Sequence, residues 1–160
     1  MPIPQKRELL DAVRMELHSE LAHLEQATKA ALAAATDEES RPENQYDTRA
    51  LEASYLAAAQ GKRVQELKKM LNLLEQFPLS ENSAVISSGS LAEVESEGKK
   101  SWYFLLPFGA GVSAESNGQK VAVATIDSPL GQLLIGKKAG ELAELPRPGG
   151  AKEFEILGVF

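Results

Sequence analysis

The stretch Lys62-Arg63-Val64-Gln65-Glu66-Leu67-Lys68-Lys69-Met70-Leu71-Asn72-Leu73-Leu74-Glu75-Gln76-Phe77-Pro78 decides the architecture. Val64 and Leu71 are spaced by seven, as are Leu67 and Leu74, and Pro78 stops the pattern because it cannot continue a helix. Read backward, Ala50 and Ala57 extend the first series, while Tyr46, Ala53 and Gln60 extend the second. The spacing predicts a long helix between Pro42 and Phe77. Upstream, Pro4 to Thr36 holds no Gly and no further Pro and is dominated by strong helix formers, which predicts a first helix of similar length. Its stripe is Leu10, Leu17, Leu24 and Ala31, flanked by Val13, Leu21, Ala27 and Ala35. Each helix has one apolar stripe and must cover it, so residues 1–79 read as an antiparallel coiled-coil hairpin.

At about 1.5 Å per residue, a helix of about 32 residues is about 48 Å long, so the hairpin is expected to protrude. Its seam residues are large at the open end (Leu10, Leu17, Leu67, Leu71, Leu74) and small near the turn (Ala27, Ala31, Ala50, Ala53, Ala57), which predicts a taper. The turn region, 36–47, carries Asp37, Glu38, Glu39, Glu43 and Asp47 against Arg41, a local charge of -4 out of the chain's -6. Acids there suit the N-terminus of the second helix, whose dipole favours negative charge, and they also form an acidic tip able to deliver carboxylates elsewhere.

Beyond Phe77-Pro78, Gly, Pro, Ser and short β-rich runs replace the heptads, so residues 80–160 read as a second domain. Six strands are expected, at 84–88, 91–95, 101–106, 121–125, 141–145 and 154–160, in an antiparallel or mixed sheet. Ser128 to Gly136 reads as a short helix: Ser128 is the N-cap, Pro129 the first helical residue and Gly136 the terminator, with Leu130, Leu133 and Leu134 packed on the sheet. Pro148-Gly149-Gly150 predicts a hairpin turn. The expected core is Trp102, Phe104, Leu106, Ile126, Phe154 and Ile156. The fold class is therefore α+β, a helical hairpin followed by a small sheet domain with one short helix.

Composition narrows the function. The 160 residues include no Cys, which excludes disulfides, thiolate metal sites and cysteine nucleophiles and accords with a cytoplasmic protein. With 23 acids against 17 bases, autonomous binding to a phosphate backbone is not expected. No run approaches the roughly 20 apolar residues of a membrane span. His18 and His23 fall on different helix faces, Glu20-x-x-His23 occurs once, and Gly109-Ala110-Gly111 lacks a third Gly and a following helix, so it reads as a loop. No self-contained active site is expected, no intrinsic cofactor is implied, and the chain reads as a monomer.

The order Ile126-Asp127-Ser128-Pro129-Leu130-Gly131-Gln132-Leu133-Leu134-Ile135-Gly136-Lys137-Lys138, then Pro148-Gly149-Gly150 and Phe154-Glu155-Ile156, resembles the bacterial Gre transcription factor family, GreA and GreB. Tyr55 and Arg63-Val64-Gln65-Glu66-Leu67 add a weaker likeness in the hairpin. The resemblance implies an FKBP-like C-terminal domain that docks on RNA polymerase, here through Ser128, Pro129, Leu130, Gly136 and Lys137, while the coiled coil enters the secondary channel. Nucleic acid would be met only through the transcription complex. Family members place an Asp and a Glu three residues apart at the tip to help hold the polymerase's second Mg²⁺ during cleavage of backtracked RNA. In this chain, setting Asp47 at the family Asp puts Ala50 at the Glu, and anchoring on Arg63 puts Glu43 at the Asp and Tyr46 at the Glu. Asp47 and Glu43, four apart, are the expected shared Mg²⁺ ligands, with Glu38 and Glu39 adding negative field. The other class of function consistent with the sequence is a non-transcriptional coiled-coil or chaperone-like module with a peptide-binding sheet domain.

Overall fold

A computed structural model of the chain describes residues 2–36, 49–79 and 83–160. Two long helices, α1 (Lys6–Thr36) and α2 (Arg49–Glu75), precede six strands: β1 (Leu91–Ser96), β2 (Lys99–Leu106), β3 (Ser113–Ser116), β4 (Gln119–Thr125), β5 (Leu142–Arg147) and β6 (Gly150–Val159). A short helix, α3 (Pro129–Leu134), lies between β4 and β5. The α+β class read from the sequence is the one observed. The chain forms two compact units, one of Met15–Glu75 and one of Met1–Arg14 with Gln76–Phe160. The sheet unit thus includes the first fourteen residues, whereas the sequence reading places all of 1–79 in the hairpin.

In the helical unit, Leu17, Val64, Leu67, Leu71 and Leu74 are buried, as the seven-residue spacing requires. The His18–Glu75 contact at 3.5 Å and the ion pairs Glu25–Lys68 and Glu20–Arg63, each at 3.3 Å, join the two helices; the partner moves back from Glu75 to Lys68 as α1 advances from His18 to Glu25, so the pair is antiparallel. Ala27, expected on the stripe, is exposed instead. The acidic stretch 37–48 lies outside the described residues.

The sheet runs β3-β4-β2-β1-β6-β5; every neighbouring pair is antiparallel except β2 and β4. The parallel pair arises because β3 and β4 form their own hairpin, which then lays β4 beside β2 with Trp102 opposite Val121. One sheet face carries Ala92, Val94, Leu105, Ala124, Ala143, Phe154 and Ile156, covered by Ile86 and Leu134, with Leu130 and Leu133 half-buried against them. The three α3 leucines therefore pack on the sheet as read from the sequence. Full burial of each such side chain is worth about 1.5–3 kcal/mol.

The N-terminal segment is tied to the β3–β4 hairpin. Ser116, itself buried, accepts from the Gln5 N–H at 2.9 Å and donates to Glu8 Oε2 at 2.5 Å, while Asn117 Nδ2 donates to the Ile3 carbonyl at 2.9 Å. A Cβ at Gly109 would lie 3.2 Å from Val13 Cγ1, so the chain at 109 and α1 are in close contact.

Three local expectations are corrected. Ala84–Ser88 is not a strand; it contributes the single bridge Val85–Lys138, because the Ser87 N–H turns back to Ser90 Oγ at 2.9 Å and ends the extension. The strand β3 was not expected, since Ser113-Ala114-Glu115-Ser116 has no β-branched or aromatic residue. It forms because Asn117 and Gly118 take φ of 52° and 73°, the two positive values a type I′ turn demands. Ile126 is only half-buried and faces a cleft rather than the core.

Candidate functional site

The Ser128 turn is built from its hydroxyl outward. Ser128 Oγ accepts the Gly131 N–H at 3.0 Å and donates to the Thr125 carbonyl at 2.7 Å, so one side chain caps α3 and anchors it to the end of β4. Pro129 occupies the first helical position, where its missing N–H costs nothing. Gly131 is fixed by space: a Cβ there would fall 1.9 Å from the Thr125 carbonyl oxygen. No other residue lets the helix approach β4 this closely.

The far end of α3 is held as firmly. The Ile135 N–H reaches the Gly131 carbonyl at 2.9 Å, and Gly136 then turns to φ +84°, a left-handed conformation suited to glycine. The Gly136 N–H donates to the Ile86 carbonyl at 2.8 Å, and the Ile86 N–H donates to the Lys137 carbonyl at 2.9 Å. Residues 85–86 are thereby paired antiparallel with 137–138.

Between these anchors lies a cleft of about 390 Å³ lined by Ser87, Ser88, Ile126, Asp127, Gln132 and Ile135. Its isoleucines give an apolar floor, and a carboxylate, an amide and two hydroxyls stand around it. Such a surface suits an apolar side chain of a partner, oriented by polar contacts at the edge. Among the described residues that line it, none is a nucleophile paired with a base. Among the described residues no group of three or more His, Cys, Asp or Glu could hold a metal.

None of the docking residues singled out from the sequence is among the side chains that line this cleft; they flank its lining residues in the chain and have different roles. Ser128 uses its hydroxyl within the turn, Leu130 packs inward, and Gly136 shapes the exit from α3. Pro129 is exposed and Lys137 half-buried. Asp127, Gln132 and Ile135 line the cleft but were not singled out; Ile135 is 37% exposed. The available signal was the acid immediately before a capping serine and an isoleucine past the last core leucine. The tip acids Asp47, Glu43, Glu38 and Glu39 lie outside the described residues.

Residues 81–159 match the family model described as transcription elongation factor, GreA/GreB, C-term. The chain is 31% identical over 130 residues to transcription elongation factor GreA of Flavobacterium psychrophilum, a span of 80% of this chain and 77% of that protein. The chain belongs to the GreA/GreB family of transcription elongation factors. A second GreA, from Amoebophilus asiaticus, is 32% identical over 117 residues, covering 67% of this chain and 69% of its own. The crystal structure of GreA factor homolog 1 of Thermus thermophilus shares 20% identity, covering 93% of this chain and 95% of that one, at a TM-score of 0.38. The family match encloses the whole cleft and all six strands, so the Gre signature lies on the sheet and α3. No helix among the described residues is long and apolar enough to cross a membrane.

Proposed function

We propose that this Gre-family chain is a cytoplasmic elongation regulator that binds RNA polymerase through the cleft beside α3 and presents its acidic hairpin turn within the secondary channel. The observation that carries this reading is the cleft's construction. Ser128, Gly131 and Gly136, all inside the family's C-terminal match, serve to hold Asp127, Gln132 and Ile135 in fixed positions around an apolar floor. A backbone already held in place loses little entropy on association, which suits a docking surface. In this reading Pro129 and Lys137 extend the contact, and the chain itself catalyses nothing.

At the tip, Asp47 leads and Glu43 follows as carboxylates acting near the polymerase Mg²⁺, with Glu38 and Glu39 adding field. Mg²⁺ takes oxygen ligands and is commonly held by one or two carboxylates, and a second metal assists both attack and departure at a phosphodiester. The test is retention of the chain on core RNA polymerase, competed by another secondary-channel factor, together with cleavage of a backtracked complex across a Mg²⁺ titration. Binding that survives the competitor unchanged would place the chain elsewhere on the polymerase. Absence of binding would favour the non-transcriptional reading.

A further inference from the structure

Along the helical unit, three unrelated irregularities fall at one level. In α2, Gln60 takes a seam position between Ala53 and Leu67, and its Oε1 is buried with no protein partner among the described residues. The next residue, Gly61, stands inside α2 with nothing within 4 Å of where a Cβ would lie, so no close approach explains it. A helix-interior Gly weakens a helix relative to Ala, and a buried amide oxygen without a donor opposes closure of the seam around it. In α1, Thr28 Oγ1 donates back to the Leu24 carbonyl at 2.8 Å, a bond that competes with the helix ladder and bends helices. With Leu32, Ser54, Ala57 and Ala58, Thr28 lines a cleft of about 320 Å³ between the two helices, whose α2 wall comes within one helical turn of Gln60.

Packing changes across this level. On the base side, Val64, Leu67, Leu71 and Leu74 are buried, and Glu20–Arg63 and Glu25–Lys68 join the helices. On the turn side, Leu32, Leu51, Tyr55 and Leu56 are each more than half exposed, and the seam is left to alanines. Alanine buries little area, so the turn-side arm is held by much less apolar contact.

We propose that the hairpin has a built-in bending point at Thr28, Gln60 and Gly61, beyond which the turn-side arm, described here by residues 28–36 and 49–60, opens as one cooperative unit while the base-side seam stays closed. Local opening of weakly packed, contiguous segments is a general property of folded chains; here the boundary is set by particular side chains. Resting on the Gre reading, the bend would let the acidic turn meet its target at more than one angle while the base stays docked. The bend itself is a property of the free protein.

Amide exchange on the full free chain tests it, and the result stands whether or not the chain binds polymerase. Amides of 28–34 and 51–59 on both helices are expected to exchange through one common opening, at least about tenfold faster than those of 64–74. Gly61→Ala is sterically open and should slow the turn-side amides on α1 and α2 alike by about fivefold, the factor for about 1 kcal/mol of helix propensity. Thr28→Ala, which acts from the other helix, should give the same two-helix pattern. Slowing confined to the turn around residue 61 would overturn the proposal, since only local propensity would then have changed. Equal slowing along the whole hairpin would overturn it too, because the two arms would then open together.

Discussion

A single missing methyl group sets how closely α3 approaches β4 beside the cleft. With 1.9 Å between a Cβ at 131 and the Thr125 oxygen, Gly131→Ala must displace α3 from β4. The expected loss is about 3 kcal/mol in chemical denaturation, with polymerase retention falling in parallel. Ser128→Ala removes the cap but leaves the close approach intact, so about 1 kcal/mol is expected from the same measurement. Glu97 gives a test by pH. The Arg147 guanidinium, 2.8 Å away, holds its carboxyl below the ordinary value through a hydrogen bond and charge, with Lys152 and Lys99 adding charge. The stabilisation is therefore present above the ordinary carboxylate pKa and is lost as pH falls through the depressed one. Arg147→Ala should move the Glu97 titration upward in carboxyl NMR; an unchanged curve would mean the pair does not persist in solution. At this scale the sequence was readable where a residue type has one dominant local use, as with Ser128, Pro129 and Gly136. It was silent at Gly131, since a glycine demanded by a neighbour 6 positions away looks like any other.

Elements declared themselves in proportion to their periodic length. The two long helices carry enough seven-spaced Leu, Val and Ala for both to be placed, and strands rich in Val, Phe and Trp were found within a few residues of their ends. The short β3 was not legible because its pairing depends on the Asn117-Gly118 turn and on β4, not on its own composition. The supposed strand 84–88 failed in the opposite way: its composition suits a strand, but after one bridge the backbone has only a turn to pair with. At β3 the consequence can be measured. Ser116→Ala deletes the bonds to Gln5 and Glu8 together, and should cost about 1–2 kcal/mol and speed exchange of the Gln5 amide. If that amide exchanges as in the parent protein, the Ser116 bonds do not hold the start of α1.

For the molecule as a whole, the division into two compact units makes the proposed docking and the proposed tip role separable by deletion. Deleting 36–47 should leave polymerase retention nearly intact, whereas deleting 121–160 should abolish it; equal losses would refute the separation. Asp47→Asn keeps shape and removes charge, so it should change the effect on a backtracked complex without changing retention. The proposed tip acids lie outside the described residues, so their reading rests on charge and spacing in the sequence alone. The tie between Ile3, Gln5 and Glu8 and the pair Ser116 and Asn117 has a further bearing, on the order in which the protein is made. These contacts close over 108 to 114 residues, so the start of the chain leaves the ribosome long before its partners exist. The helical hairpin, whose contacts are nearer in sequence, can zip early. Val13, buried in the finished protein and close to the chain at Gly109, must wait without that neighbour until residue 109 emerges. Nascent chains stalled before residue 109 should therefore engage a chaperone that chains released after β6 do not.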